Sequence, residues 1–182
     1  MWGRVWKTAF DVAVDQHGYV TFDDLRRLGA DPALLRQWRQ RGRVERAAHG
    51  IYRFPQIPAT PHDPLMLATL WPAGRGVLSH ETALEAHELC DVNPAKIHIT
   101  LPPNYRPRRR GGEQYVVHHD RLDNADVTWY EGIRIVTPAV AIRQAIESKL
   151  PRQLVRQALE TAKKRGSVPR PILIKLLERA AA

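Results

Sequence analysis

Apolar residues recur at three- and four-residue intervals from the start of the chain. Trp2, Val5, Trp6, Ala9, Val12 and Ala13 have the spacing of a helix with one buried stripe. After a short strand-like stretch at residues 17–20, Thr21 precedes Phe22-Asp23-Asp24-Leu25. Its hydroxyl can take the free N–H groups of a new helix while Asp24 reaches back, a capping-box arrangement. Gly29 stops that helix after about Leu28 by supplying a left-handed conformation. Asp31 and Pro32 then open another helix, the first as cap and the second at a position where a missing N–H costs nothing, and Gly42 closes it. Residues 43–48 and 51–54 read as two strands turning at His49-Gly50.

Helix, strand, helix, turn, helix and two-stranded ribbon is the order of a winged helix-turn-helix. At about 100° per residue, Leu34, Leu35 and Trp38 share one face of the third helix, and Ala33, Arg36, Gln37 and Gln40 share the other. The first set suits burial. The second suits base edges, since arginine pairs with guanine N7 and O6 and glutamine with adenine N6 and N7, and this fold lays that helix in the major groove. Ala33, Arg36, Gln37 and Gln40 are therefore the expected base readers. Thr21, Arg39, Arg41, Arg43, Arg46, His49, Tyr52 and Arg53 surround them and are expected at the DNA backbone or in the wing, where contacts fix register without reading sequence.

Residues 55–64 contain four prolines and no helical period, so residues 1–54 are expected to form the DNA-binding domain, 55–64 a semi-rigid connector and 65–182 a second domain. In that second part, residues 65–71 and 80–89 read as helices, with Ser79 as the cap of the latter. Lys96–Leu101, Tyr115–Val117, Val127–Tyr130 and Ile133–Val136 read as strands, the last two joined at Glu131-Gly132. Helices follow from Thr137-Pro138 to about Ser148, over 151–164, and near 171–181, where Ile172, Leu173, Leu176 and Leu177 are expected to be buried. The predicted class is α+β, with a small, mostly antiparallel sheet and C-terminal helices.

Charge sharpens this division. The 182 residues carry a formal net charge of +9, which favours anionic partners because neutralising phosphates releases counterions. Lys and Arg exceed Asp and Glu by 10 to 6 over residues 1–60 and by 8 to 2 over 151–182, whereas residues 61–150 hold 10 against 11. Basicity thus belongs to the two ends. Arg152, Arg156 and Lys163 fall within about 40° of one another on their helix, and Arg106, Arg108, Arg109 and Arg110 precede Gly111-Gly112 on a loop. Both groups are candidate secondary contacts to phosphate or minor groove, and both equally fit solvated surface.

Other chemistry finds less support. Cys90 is the single cysteine, which excludes an internal disulfide and a cysteine-cluster zinc site. His80, His87, His118, His119 and Asp120 are metal-capable, but adjacent His118 and His119 point to opposite faces of a strand, so no metal and no other cofactor is expected. Glu147-Ser148-Lys149 matches a nuclease-like E-x-K triplet with Asp120, Asp123 and Asp126 upstream. Yet Ala139, Ile142, Ala145 and Ile146 give that segment a helical period, where such a site requires a buried strand. No catalytic residue is assigned. The opening residues lack a signal-peptide or membrane-spanning pattern, and cytoplasm is the expected compartment.

Several segments taken together resemble a known family. Gly18-Tyr19-Val20-Thr21, Leu25 to Leu28, Leu35-Arg36-Gln37-Trp38, Arg41-Gly42 and His49-Gly50-Ile51-Tyr52-Arg53 resemble the winged-helix N-terminus of AbiEi-type antitoxins. Leu78 to Leu84, Ile97 to Thr100, Val117-His118-His119 and Gly132 to Pro138 are similar to the segments that follow in that family. The resemblance implies the antitoxin of a type IV toxin–antitoxin system, which represses its own operon by binding repeats in the promoter and counteracts a nucleotidyltransferase-like toxin. It implies cooperative binding and antitoxicity for the second domain; from the sequence pattern, no membrane partner is expected. Two alternatives stand beside it: a winged-helix adaptor that binds protein, and a DNA-binding protein with a C-terminal nuclease-like domain.

Overall fold

Two capping side chains lay out the N-terminal part of the protein. The computed structural model describes residues 2–108 and 110–181. Its first elements are α1 (Trp2–Asp15), β1 (Tyr19–Thr21), α2 (Phe22–Arg27), α3 (Pro32–Gln40), β2 (Glu45–Ala48) and β3 (Ile51–Arg53). Ahead of α2, the Thr21 hydroxyl accepts from the Asp24 amide at 3.1 Å while the Asp24 carboxylate accepts from the Thr21 amide at 2.9 Å, a complete capping box. At α3 the Asp31 carboxylate accepts from the Leu34 amide at 2.6 Å. The strands form a sheet in the order β1-β3-β2, antiparallel throughout, with a bulge between Arg46 and Ala48. Gly50 turns the ribbon at φ 70°. The topology is that of a winged helix-turn-helix.

Its core joins Ala9 and Ala13 of α1 to Val20, Leu25, Leu34, Leu35, Trp38, Val44 and Phe54. Aromatic rings tie the elements together: Trp6 meets Trp38 edge-on at 4.9 Å, Phe54 lies 4.9 Å from Trp6, and Phe10 meets Phe54 edge-on at 5.6 Å. Such pairs add about 0.5–1.5 kcal/mol each beyond the area they bury.

The first compact unit extends further than residue 54. It runs to Gly76 and also takes in Arg106–Glu113 and Glu131–Ile133, so the proline-rich stretch and α4 (Asp63–Leu70) lie inside it and 55–64 is not a spacer between domains. The reason is local bonding that proline content does not reveal. Phe54 donates its amide to the Gly18 carbonyl at 2.8 Å, Ile57 packs on the core, and Thr60 donates amide and hydroxyl to the buried Asp63 carboxylate at 2.9 and 2.7 Å.

The second unit comprises Val77–Tyr105, Gln114–Tyr130 and the residues from Arg134 onward. Its elements are β4 (Val77–Leu78), α5 (His80–Ala86), β5 (Ile97–Leu101), β6 (Tyr115–His119), β7 (Val127–Tyr130), β8 (Ile133–Val136), α6 (Pro138–Glu147), α7 (Arg152–Arg165) and α8 (Arg170–Ala181). The five strands are ordered β6-β5-β4-β8-β7. The α+β class holds, but the sheet is mixed where a mostly antiparallel one is expected: β4 pairs antiparallel with β5, whereas β4–β8 and β5–β6 are parallel. Period-two alternation is the same in both pairings, so it carries no information about strand direction. Leu78, Ile99, Leu101, Ile135, Leu84 and Ile142 are buried there. On α8 only part of the expected stripe is covered, with Leu173 and Leu176 buried and Ile172 and Leu177 exposed.

Removing the α3 cap tests how far this helix depends on its side-chain partner. Asp31→Ala is expected to cost about 1 kcal/mol in urea unfolding. An unchanged midpoint would mean that packing alone holds the helix start.

Candidate nucleic-acid interface

Burial of Leu34, Leu35 and Trp38 fixes the roll of α3. Ala33, Arg36 and Gln40 are exposed and Gln37 is half-exposed, so the four expected base readers do share the outward face. Among the described residues no hydrogen bond or ion pair engages the side chains of Arg36, Arg39 or Arg41. An open cleft runs between this helix and β2, lined by Arg36, Arg39, Gln40, Gly42, Val44, Glu45 and Arg46. Three arginines therefore border a concave strip with a single carboxylate, an arrangement that attracts a polyanion.

The wing flanks the helix. Arg46 donates to the Ala48 carbonyl at 3.4 Å and lies 3.5 Å from His49 Nδ1, which holds the exposed His49 near the tip. The Arg43 guanidinium sits over the Trp6 ring at 5.3 Å, a cation–π contact that stiffens its stem. A second cleft is bordered by Thr21, Phe22 and Asp23 together with Arg46, His49, Gly50, Tyr52 and Ala73. Thr21 serves first as a cap there, its hydroxyl 2.6 Å from Asp24 Oδ2, and Tyr52 is half-buried against the core.

Arg53 departs from its expected place at the DNA backbone. Its guanidinium donates to the Ile57 carbonyl at 3.0 Å and pairs with Asp63 at 3.4 Å, with side-chain exposures of only 19% and 11%. Burial pushes the Asp63 carboxyl up, but the Thr60 hydrogen bonds and the Arg53 charge outweigh it and hold the group below its ordinary range. Strand alternation explains the misplacement. Arg53 opposes Tyr19, and the partner that draws it inward stands ten residues downstream.

The secondary basic groups are exposed within their own units. Arg106, Arg108 and Arg110 belong to the first, Arg109 lies outside the described residues, and Arg152, Arg156 and Lys163 are exposed on α7 of the second.

Of the metal and nuclease candidates, His80 and His118 come together. Among the described residues no group of three or more His, Cys, Asp or Glu could hold a metal ion. Glu147 ends α6 in an exposed position and pairs with Arg179 at 2.9 Å. His118 and His119 point to opposite sides: His119 lies 3.4 Å from the Pro102 carbonyl, whereas His118 stacks on His80 with ring centroids 3.4 Å apart and lies 3.1 Å from His98 Nδ1. This imidazole stack is invisible to spacing, although His98 and His118 fall on one face once Thr100 opposes His118. Ser79 precedes α5 as expected, but its hydroxyl lies 3.0 Å from His80 Nδ1, and Gln144 Oε1 accepts the His80 amide instead. Burial, then the neighbouring imidazoles and Arg143, push His80 down to about 3. Burial and the imidazoles of His98 and His119 bring His118 down to about 4.

Comparison with known proteins bears on the winged helix directly. Residues 7–55 match the family described as "Transcriptional regulator, AbiEi antitoxin". The matched segment holds α2, α3 and the wing. No curated protein matches the chain. Among solved structures, the RV2827C protein from Mycobacterium tuberculosis is similar, with a TM-score of 0.59 and 21% identity over 98% of this chain and 74% of that one. That likeness is one of fold. No described helix is long and apolar enough to cross a membrane.

Two measurements follow. Arg53→Ala strands the Asp63 carboxylate, so it should lower stability by on the order of 3 kcal/mol, read by urea unfolding. Unchanged stability combined with lost DNA affinity would return Arg53 to the interface. The histidine stack sets a pH dependence. An unfolded histidine titrates near 6.5, so on acidification the unfolded chain takes up protons that His80 and His118 refuse. Stability should therefore be level above that value and fall progressively as pH drops from about 6.5 toward 4. His80→Asn with His118→Gln should flatten that slope in urea midpoints taken across the range, and a wild-type midpoint constant down to pH 4 would contradict it.

Proposed function

We propose that this protein is a DNA-binding transcriptional regulator of the AbiEi antitoxin type, which binds repeated sites in the promoter of its own operon and counteracts a nucleotidyltransferase-like toxin in the cytoplasm. The observation that carries the reading is the outward face of α3. Ala33, Arg36, Gln37 and Gln40 are presented together on a helix whose other face is locked into an AbiEi-type core.

In this reading α3 lies in the major groove, with Arg36 and Gln37 reading base edges. Arg39, Arg41, Arg43 and Arg46, with His49 at the wing tip, take backbone phosphates. Thr21 and Tyr52 shape the wing-side cleft, and Arg53 holds the module together from within. Affinity comes chiefly from counterion release. One module supplies one set of groove contacts, so occupancy of two repeats strengthens binding without any new surface. The protein carries out no catalysis of its own in this account and needs no cofactor. Its effect on the toxin operates through the second unit.

Mobility-shift titrations against the DNA upstream of its own gene test the division of labour. Arg36→Ala or Gln37→Ala should cost about 1–3 kcal/mol at one base position and relax specificity there, while Arg39→Ala weakens cognate and random duplexes alike. Equal losses on random DNA for all three variants would refute the assignment. Wild-type protein with no affinity for DNA, or an affinity insensitive to salt, would favour the protein-binding adaptor.

A further inference from the structure

The loop that carries Arg106, Arg108 and Arg110 is more than fifty residues from the wing in sequence, yet its contacts make it part of the winged-helix unit. Trp71 is the anchor. Its indole Nε1 donates to the Arg110 carbonyl at 2.9 Å, and the ring itself is buried. The two glycines that follow lie against it. A Cβ on Gly112 would stand 2.8 Å from both Cη2 and Cζ2 of Trp71, and one on Gly111, at φ 96°, would stand 3.7 Å from Nε1. Backbone without side chains is thus required for the loop to rest on the indole.

The anchor also has a position. Two residues past Trp71, Ala73 lines the wing-side cleft together with Phe22, Arg46, His49 and Tyr52. The clamp therefore holds the loop to the chain segment that borders the wing. Arg108 and Arg110 are exposed, and Glu113 is the one acidic residue in the 106–113 segment. A rigidly anchored, cationic, solvent-facing loop beside a DNA-reading wing fits a polyphosphate backbone and offers no geometry for reading bases.

We propose that Arg108 and Arg110 form a second contact to the duplex backbone beside the wing, and that Trp71, through Gly111 and Gly112, is the positioning residue that holds them there. The inference rests on the DNA-binding reading above and adds to it an element outside the winged-helix segment. It gives the unit phosphate contacts that α3 and the ribbon do not supply. Pre-anchoring also spares the ordering cost that a free arginine arm meets on binding.

Fluorescence anisotropy with the full chain separates the two readings. The probes are a duplex from the region upstream of its own gene and a random duplex of equal length, each titrated between about 50 and 200 mM salt. Arg108→Ala with Arg110→Ala should weaken both duplexes by the same factor and reduce the slope of log affinity against log salt by about 1.8, the value for two lost phosphate contacts. Gly112→Ala and Trp71→Phe, with every arginine retained, should shift the slope in the same direction. A structural role alone would not move it, and circular dichroism confirms that each variant is folded. A double-arginine variant with wild-type affinity and slope would overturn the proposal, as would a loss confined to the upstream duplex. If Arg36→Ala still loses selectivity in that case, the α3 assignment survives and only the arm falls. Wild-type protein that binds neither duplex would overturn both.

Discussion

The edge-on packing of Trp38 against Trp6 is the contact on which the rest of the interface depends. Trp38 is the last large apolar residue of α3, and Trp6 binds it to α1 while also touching Phe54 at the end of the ribbon. With Leu34 and Leu35 buried beside it, α3 has one roll angle available. Turning it by a single residue would expose an indole and bury Arg36 or Gln37, and an unpaired arginine in a core is far more costly than any compensating contact. The face proposed to read DNA is therefore set from the inside.

The same logic explains why the module extends past its ribbon. Arg53 leaves β3 pointing away from the reading face, and a buried cation requires a partner. Asp63 supplies it, held in turn by Thr60, and His17 Nδ1 lies 3.1 Å from the Thr60 hydroxyl while its Nε2 lies 2.7 Å from the Glu131 carbonyl. A chain of polar bonds thus carries the proline-rich stretch back onto α1 and β1. Arginines that look alike in the sequence divide into two kinds: those facing solvent around α3, and one that fastens the fold.

The local elements of the N-terminal unit were legible in the chain because each is marked by chemistry within four residues of itself. Thr21 with Asp24, Asp31 with Pro32, and the His49-Gly50 turn state where helices start and where the ribbon reverses. The outward face of α3 follows from periodicity alone. What could not be read depends on partners far away in sequence. Asp63 claims Arg53, Trp71 claims the 106–113 loop, and His98 and His118 meet only because β5 and β6 lie parallel and in register. Strand direction in the mixed sheet escaped for a related reason, since alternation marks faces and leaves orientation open. On α8 the apolar stripe is wider in sequence than the surface that covers it, so Ile172 and Leu177 stay exposed.

Backbone amide NMR during titration with upstream DNA reports which surface meets the duplex. Perturbations should concentrate at Ala33, Arg36, Gln37 and Gln40 and along Arg46 to His49, with Leu78, Ile99 and Ile135 of the second sheet unmoved. Perturbations confined to the second sheet and its helices, with those α3 amides unchanged at saturation, would contradict the role proposed for α3.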